Sequence, residues 1–483
     1  MDSTDINDLN SKTRYCRPDP RMLLLVLLGA MGSASWSRAQ EPSPGQVVEK
    51  IVCRTDSNQS YALYLPSYYS PDQEWPILYA LDAGARGGVP VQRFKAGAEK
   101  YGYIVAGSNN SQNGPIRVVE EALDALIADT ESRFALDGRR VYMAGFSGGA
   151  RVAVAAAFTL KGKVAGVIAC GAGFPPSIQP SASQGFAFFG AVGTEDFYFP
   201  ELRKLDQTLG GLGATHRLEI FQGGHEWPPE PVCTRAIAWI EIQAMKHGIR
   251  SPDAGRIDEM YAEAAAEAES LESARKLYEA QRRYSALAED FAGLKDIAAF
   301  AAKAEELEKS REVKKALDQE KEVDQKQRRI ETQLLSLLAR ATGGDNRAIQ
   351  VQELISSFIS LRKQADQTRN EPDRLVAVRV LTSFWIRLGE EASLDFEESR
   401  YGLAAMHLEL MSQIRPDNPH VYYQLARAYA RKGDKGKALK ALQAAVSRGF
   451  RDGAALEKNP DFKAVTGDPA FQRILADLRN RSD

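Results

Sequence analysis

Cysteine is scarce, with four residues in a chain of 483: Cys16, Cys53, Cys170 and Cys233. That number excludes a disulfide-built scaffold. If Cys16 is lost with the leader described below, three remain, which leaves room for one bridge; the plain expectation for each is a buried small apolar side chain. An excess of one charge is lacking as well. The 62 Lys and Arg face 64 Asp and Glu, a formal net charge of −2, so nothing electrostatic calls for nucleic acid. Long apolar runs are missing too. Residues 22–31, MLLLVLLGAM, make up about half of the roughly 20 apolar residues that span a bilayer, and no stable membrane span is expected in the mature chain.

That short run instead has the layout of a secretory signal peptide. Arg17 and Arg21 precede it, and small and polar residues ending Ser37-Arg38-Ala39 follow. This places cleavage after Ala39 and the mature protein in the periplasm or outside the cell. Residues before Met22 read as neither a folded element nor an n-region, so translation is expected to start at Met22. No cysteine follows the apolar run where a lipid would be attached, which argues against a lipoprotein.

A chain of this length exceeds one hydrophobic core, and its 44% hydrophobic and 26% charged residues suit soluble globular domains. Beyond the leader at 1–39, the text divides into an α/β segment at 40–250, helical hairpins at 251–370 and a helical-repeat segment at 371–483. Between 46 and 248, short β-rich runs alternate with helices, the pattern of a parallel sheet covered on both faces. Residues 46–53 and 60–65 read as an opening antiparallel pair. Residues 76–81, 103–107, 141–145, 164–170, 186–192 and 217–221 read as buried strands. A helix over 117–134 has an apolar face at Val118, Leu123, Leu126 and Ile127, and one over 233–245 aligns Ile237, Ile240 and Ala244.

Proline is absent between Pro252 and Pro372, and only Gly293 interrupts the stretch from 256 to 342. Long helices follow from that composition. Tyr261, Tyr278, Tyr284, Phe291 and Phe300 keep no sustained heptad, so packed hairpins are expected in place of a coiled coil. From 419 to 450, Tyr422, Leu425, Ala426, Tyr429, Gly433, Ala438, Leu442 and Ala445 match the 34-residue helix-turn-helix pattern of the tetratricopeptide repeat. Ala404, Leu408, Met411 and Pro416 fit the second half of a degenerate repeat upstream, whose first helix would cover 384–396.

The residues that carry chemistry lie in the α/β segment. Val141-Tyr142-Met143-Ala144-Gly145-Phe146-Ser147-Gly148-Gly149-Ala150 is a strand running into GxSxG and then into an alanine-rich helix. This is the context of a nucleophile elbow, in which Gly145 and Gly149 must lack side chains where helix backs onto strand. A β-run then ends in Gly193-Thr194-Glu195-Asp196, and the next in Gln222-Gly223-Gly224-His225, so Ser147, Asp196 and His225 occur in the order nucleophile, acid, base. Glu195 competes with Asp196 for the acid role. His216, His247, His407 and His420 read as surface or capping residues. For an oxyanion hole, Gly148 is the first candidate N–H donor and Gly84, in the loop Leu81-Asp82-Ala83-Gly84-Ala85-Arg86-Gly87-Gly88, the second, with Ala83 close behind. Trp227, beside His225, suits an acyl pocket or the core equally.

With LDAG, GFSGG, GTEDF and GGHEWP in this order, residues 46–248 resemble the esterase branch of the α/β-hydrolase superfamily that includes polyhydroxybutyrate-depolymerase-like and dienelactone-hydrolase-like proteins. The resemblance implies an α/β-hydrolase sheet with helices on both faces, and hydrolysis of small-molecule or polymer carboxylic esters through an acyl-enzyme, with no metal or organic cofactor. Relatives often read His-Gly where this chain has Asp82-Ala83, a departure that bears on the second oxyanion donor. The helical repeats would offer a surface to a protein partner. The competing expectation is a catalytically inactive hydrolase scaffold that binds proteins through those repeats.

Overall fold

Among the described residues of the computed structural model, 42–343, 347–367 and 369–480, eight strands join in a single sheet. The expected leader, the cleavage point at Ala39 and Cys16 lie outside the described residues. The strands are β1 (Val47–Val52), β2 (Ser60–Tyr64), β3 (Trp75–Asp82), β4 (Ile104–Ser108), β5 (Leu136–Phe146), β6 (Val164–Cys170), β7 (Ala187–Gly193) and β8 (His216–Phe221). Their order across the sheet is β1-β2-β4-β3-β5-β6-β7-β8. β1 pairs antiparallel with β2, and β2 antiparallel with β4; from β4 to β8 the sheet is parallel. β5 starts five residues before the expected 141, because Leu136 pairs with Trp75 across a register shift that the polar run Asp137-Gly138-Arg139-Arg140 conceals from any alternation pattern.

Five helices cover this sheet: α1 (Gly88–Tyr101), α2 (Ile116–Arg133), α3 (Gly148–Thr159), α4 (Phe199–Gly211) and α5 (Glu230–Lys246). The two faces separate residue by residue along β3, as the pleat requires. Ile77, Tyr79 and Leu81 join one core with α2, α3 and α4, while Leu78 and Ala80 join another with α1 and α5. Burial on both faces is why β6 and β7 read as continuous apolar runs.

The remainder is helical: α6 (Ala254–Ser273), α7 (Leu277–Phe291), α8 (Ala298–Glu308), α9 (Arg311–Gly343), α10 (Arg347–Gln367), α11 (Glu371–Glu397), α12 (Tyr401–Ile414), α13 (Pro419–Lys432), α14 (Lys435–Ser447), α15 (Gly453–Lys458) and α16 (Pro469–Asn480). The scattered aromatics bind neighbouring helices. Tyr261 meets Phe291 and Phe300 edge-on at 5.2 and 5.7 Å, and Ile257, Met260, Leu287 and Phe291 extend the core beneath α5. In the repeat, Asn418 caps α13, Gly433 ends it at φ +90°, and Asp434 caps α14. Ala426, Ala438 and Ala445 are fully buried, so the two helices approach closely. Cys53, Cys170 and Cys233 are buried free thiols. No helix among the described residues is long and apolar enough to cross a membrane. From Pro42 onward the sheet and the helices form one compact unit.

Candidate active site

The site forms where the strand order reverses. The chain runs from β3 outward to β4 and then returns across β3 to β5, which opens a crevice at the carboxyl ends of the strands. Asp82 at the end of β3 is in register with Phe146 at the end of β5, and Ser147 follows.

Ser147 has φ +55° and ψ −119°, a conformation that is costly for a residue with a side chain. The flanking glycines make this turn sterically feasible. A Cβ on Gly145 would come within 2.1 Å of the Gly149 carbonyl oxygen, and one on Gly149 within 2.1 Å of the Leu81 carbonyl oxygen. The Ser147 N–H donates to the Cys170 carbonyl at 2.9 Å, which fixes the elbow to β6.

Ser147, His225 and Asp196, remote in sequence, come together in one line of hydrogen bonds. Ser147 Oγ lies 2.9 Å from His225 Nε2, and His225 Nδ1 lies 3.1 and 3.0 Å from the two Asp196 carboxylate oxygens. With the ring proton on Nδ1, the imidazole donates to the carboxylate and Nε2 accepts the serine hydroxyl. The Asp196 side chain is 1% exposed and that of His225 5%. Burial raises the Asp196 carboxyl above the ordinary range, against the bonds from His225 and the Tyr198 N–H. The imidazole is packed between aromatic rings, Phe146 at 4.7 Å and Phe197 at 4.5 Å. Glu195 points elsewhere, accepting Arg374 Nη2 at 2.6 Å.

Gly148 opens α3, where helix N–H groups have no partner in the helix. The Asn113 side chain packs against it so closely that a Cβ on Gly148 would come within 1.8 Å of Asn113 Oδ1. The expectation for Gly84 needs correction, because its N–H is already committed, donating to Asp82 Oδ1 at 2.8 Å. Asp82 is fully buried; Arg86 Nε and Nη2 donate to its two oxygens at 2.8 and 3.0 Å, and Trp227 Nε1 donates at 2.7 Å. Against the upward push of burial, the bonds from Arg86, Trp227 and Gly84 hold the Asp82 carboxyl below its usual range. The Asp82 carboxylate has thereby captured the amide of Gly84, two residues on. Trp227 is core: it is buried against Phe94 and Phe146.

Of the other histidines, His216 pairs with Asp206 at 3.3 Å and His247 lies 3.3 Å from Thr215. The ring of His420 packs against Phe450. His407 departs from the surface expectation: it is buried, with Nδ1 2.9 Å from Asp395 Oδ2, in the helical core. Sequence reading also missed Asn113, whose N–H donates to the Ala83 carbonyl at 2.9 Å, and Gln327, Arg374 and Arg379 of the helical region, all of which reach the loops of this site. No local signal marks them: Asn113 meets Ala83 and Gly148 across separate loops, and the loop partners of Gln327, Arg374 and Arg379 are more than a hundred residues away. Among the described residues, no three His, Cys, Asp or Glu side chains gather to hold a metal ion.

Residues 104–233 match the phospholipase/carboxylesterase family model, and residues 395–458 match that of the tetratricopeptide repeat. No curated protein matches the chain. Among solved structures, it is similar to S-formylglutathione hydrolase from Staphylococcus aureus (14% identity, TM-score 0.33, covering 41% of this chain and 98% of that one). It is also similar to a ferulic acid esterase (16%, 0.36, 41% and 98%) and to an esterase from Mycobacterium marinum (16%, 0.32, 41% and 82%). This chain combines an eight-stranded, mostly parallel α/β-hydrolase-like sheet, of which residues 104–233 match the phospholipase/carboxylesterase model, with a helical region in which residues 395–458 match the tetratricopeptide repeat.

Proposed function

We propose that the protein is an exported serine hydrolase that cleaves carboxylic esters through an acyl-enzyme. The observation that carries this reading is the buried line Ser147–His225–Asp196, with bonds of 2.9 Å and 3.0 Å at the carboxyl edge of the sheet. A serine hydroxyl is a weak nucleophile by itself, and an imidazole within hydrogen-bond reach can take its proton as it attacks. In the acylation step Ser147 Oγ bonds to the ester carbonyl carbon, His225 receives the hydroxyl proton and returns it to the departing alcohol oxygen. Water then attacks the acyl-serine with His225 again as base, releasing the acid and restoring Ser147. Asp196 holds the ring in the required tautomer and stabilises the imidazolium. The Gly148 N–H, at the start of α3, is the first donor to the oxyanion.

Export rests on the apolar run at 22–31 and the small residues before Ala39. Recovery from the cell envelope or medium with Gln40 as the first residue is the expected result; full-length protein in the cytoplasm is the contrary one. The repeat is read as a surface for a protein partner.

The Gly84 N–H held by Asp82 favours a second reading, a catalytically idle scaffold that binds proteins. Hydrolysis of p-nitrophenyl esters and labelling by a fluorophosphonate separate the two. Activity and labelling that vanish in Ser147→Ala support the enzyme, whereas neither signal in the unmodified protein supports the scaffold.

A further inference from the structure

The acid loop between β7 and α4 is held from two sides. Toward the sheet, the N–H groups of Thr194 and Glu195 donate to the carbonyls of Phe221 and Gly223, at 2.9 and 2.8 Å, at the approach to His225. On the other side, its contacts come from the helical region. Arg379 on α11 donates through Nε and Nη2 to the Thr194 carbonyl at 2.9 and 2.5 Å. Arg374, one turn earlier, binds the Glu195 carboxylate at 2.6 Å, and Gln327 on α9 donates to the Phe197 carbonyl at 2.9 Å. Three of four consecutive residues are thus gripped from outside the hydrolase fold, and Asp196 is the fourth.

Gln327 and Arg379 are buried, while the Arg374–Glu195 pair is partly exposed. Arg379 is 2% exposed, its guanidinium stacks over the Phe199 ring at 4.1 Å, and Nη1 reaches Asp324 of α9 at 3.4 Å. The same helix continues toward the nucleophile, where Glu390 accepts from Asn113, the residue packed against Gly148. α11 therefore reaches the loops on both sides of Ser147.

We propose that α9 and α11 are part of the catalytic apparatus, with Arg379 and Gln327 as positioning residues that hold the loop of Asp196 at the distance His225 requires. The proposal rests on the triad reading above. Backbone carbonyls shielded from water need donors, and for the partly buried Thr194 and Phe197 carbonyls the donors are supplied by the helical region. A displacement of about 1 Å in such a constellation costs on the order of a hundredfold in rate.

The test is a double-mutant cycle in the full chain. Arg379→Met and Gln327→Leu are each made in the natural sequence and in an Asp196→Ala background, with the rate of ester hydrolysis as readout. A positioning role predicts that each lowers kcat about tenfold or more, with KM little changed, in the natural background and has no further effect once Asp196 is gone. Arg379→Lys, which retains a donor and the charge beside Asp324, should recover part of the loss. An equal loss in both backgrounds, or none in either, overturns the proposal. If Arg379→Met does not fold, Gln327→Leu decides, because it leaves the Arg379–Asp324 pair intact. Ser147→Ala runs alongside. If it retains activity the triad reading itself fails; if it is inactive while the cycle is additive, only the positioning role fails.

Discussion

The indole N–H of Trp227 donates to Asp82 Oδ2 at 2.7 Å, which ties the loop carrying His225 to the end of β3, the strand beside the one that presents Ser147. His225 and Ser147 are referred to each other through this bond as well as through their own. The same carboxylate collects Arg86 and the Gly84 N–H, so a single buried acid organises the loop expected to contribute to the oxyanion hole.

Replacing Asp82 with Ala leaves the buried Trp227 N–H without its acceptor, a loss of about 2 kcal/mol that chemical denaturation at neutral pH would measure. The pH dependence follows from the direction of the shift. The folded carboxyl titrates below the unfolded one, so its contribution is present above the unfolded value of about 3.9 and is lost as pH falls through the folded value. The gap between the natural protein and Asp82→Ala should therefore narrow in strong acid. A gap independent of pH would contradict the ionised role.

Asp196→Asn should lower kcat by roughly 10⁴, since an amide disfavours the required imidazole tautomer. Glu195→Gln disturbs only a partly exposed pair with Arg374, worth at most about 1 kcal/mol, and should cost less than about tenfold. Equal effects in steady-state assays would reassign the acid. Stability should move the other way. Burial raises the Asp196 carboxyl, so its ionised form disfavours the folded state at neutral pH and the cost is relieved as pH falls through the folded value. Asp196→Asn is therefore expected to unfold at a higher temperature than the natural protein at neutral pH, with the difference shrinking in acid.

Gly145→Ala drives a methyl group into the Gly149 carbonyl, backbone against backbone, and should cost more than about 3 kcal/mol or abolish soluble expression. Gly433→Ala provides the contrast. Nothing lies within 4 Å of its Cβ position, so only the left-handed backbone at φ +90° resists, and about 1 kcal/mol in thermal or chemical unfolding is expected. Comparable losses at the two positions would mean that the elbow is looser than its geometry.

Much of this was legible because it is local. Strand-to-helix steps, the glycines around Ser147 and the loop glycines before His225 all act within a few residues, and so did the small residues that let α13 and α14 touch. The near-continuous apolar runs of β6 and β7 were legible for the same reason: burial on both faces leaves only apolar side chains to choose. The early start of β5 was not, because its first residues pair without alternating.

Amino-acid order by itself determined which side chains could serve as nucleophile, acid and base, since each follows a strand that must end at the same edge of a parallel sheet. Tertiary structure alone decided that Asp196 and not Glu195 faces His225, that Asp82 occupies the Gly84 N–H, and that His407 is buried beside Asp395. It alone placed Arg379, 185 residues from Thr194, on the acid loop. The physical reason is the same in each case: periodicity encodes which face of an element is buried, whereas the partner of a particular donor or acceptor depends on what packing brings within about 3 Å of it.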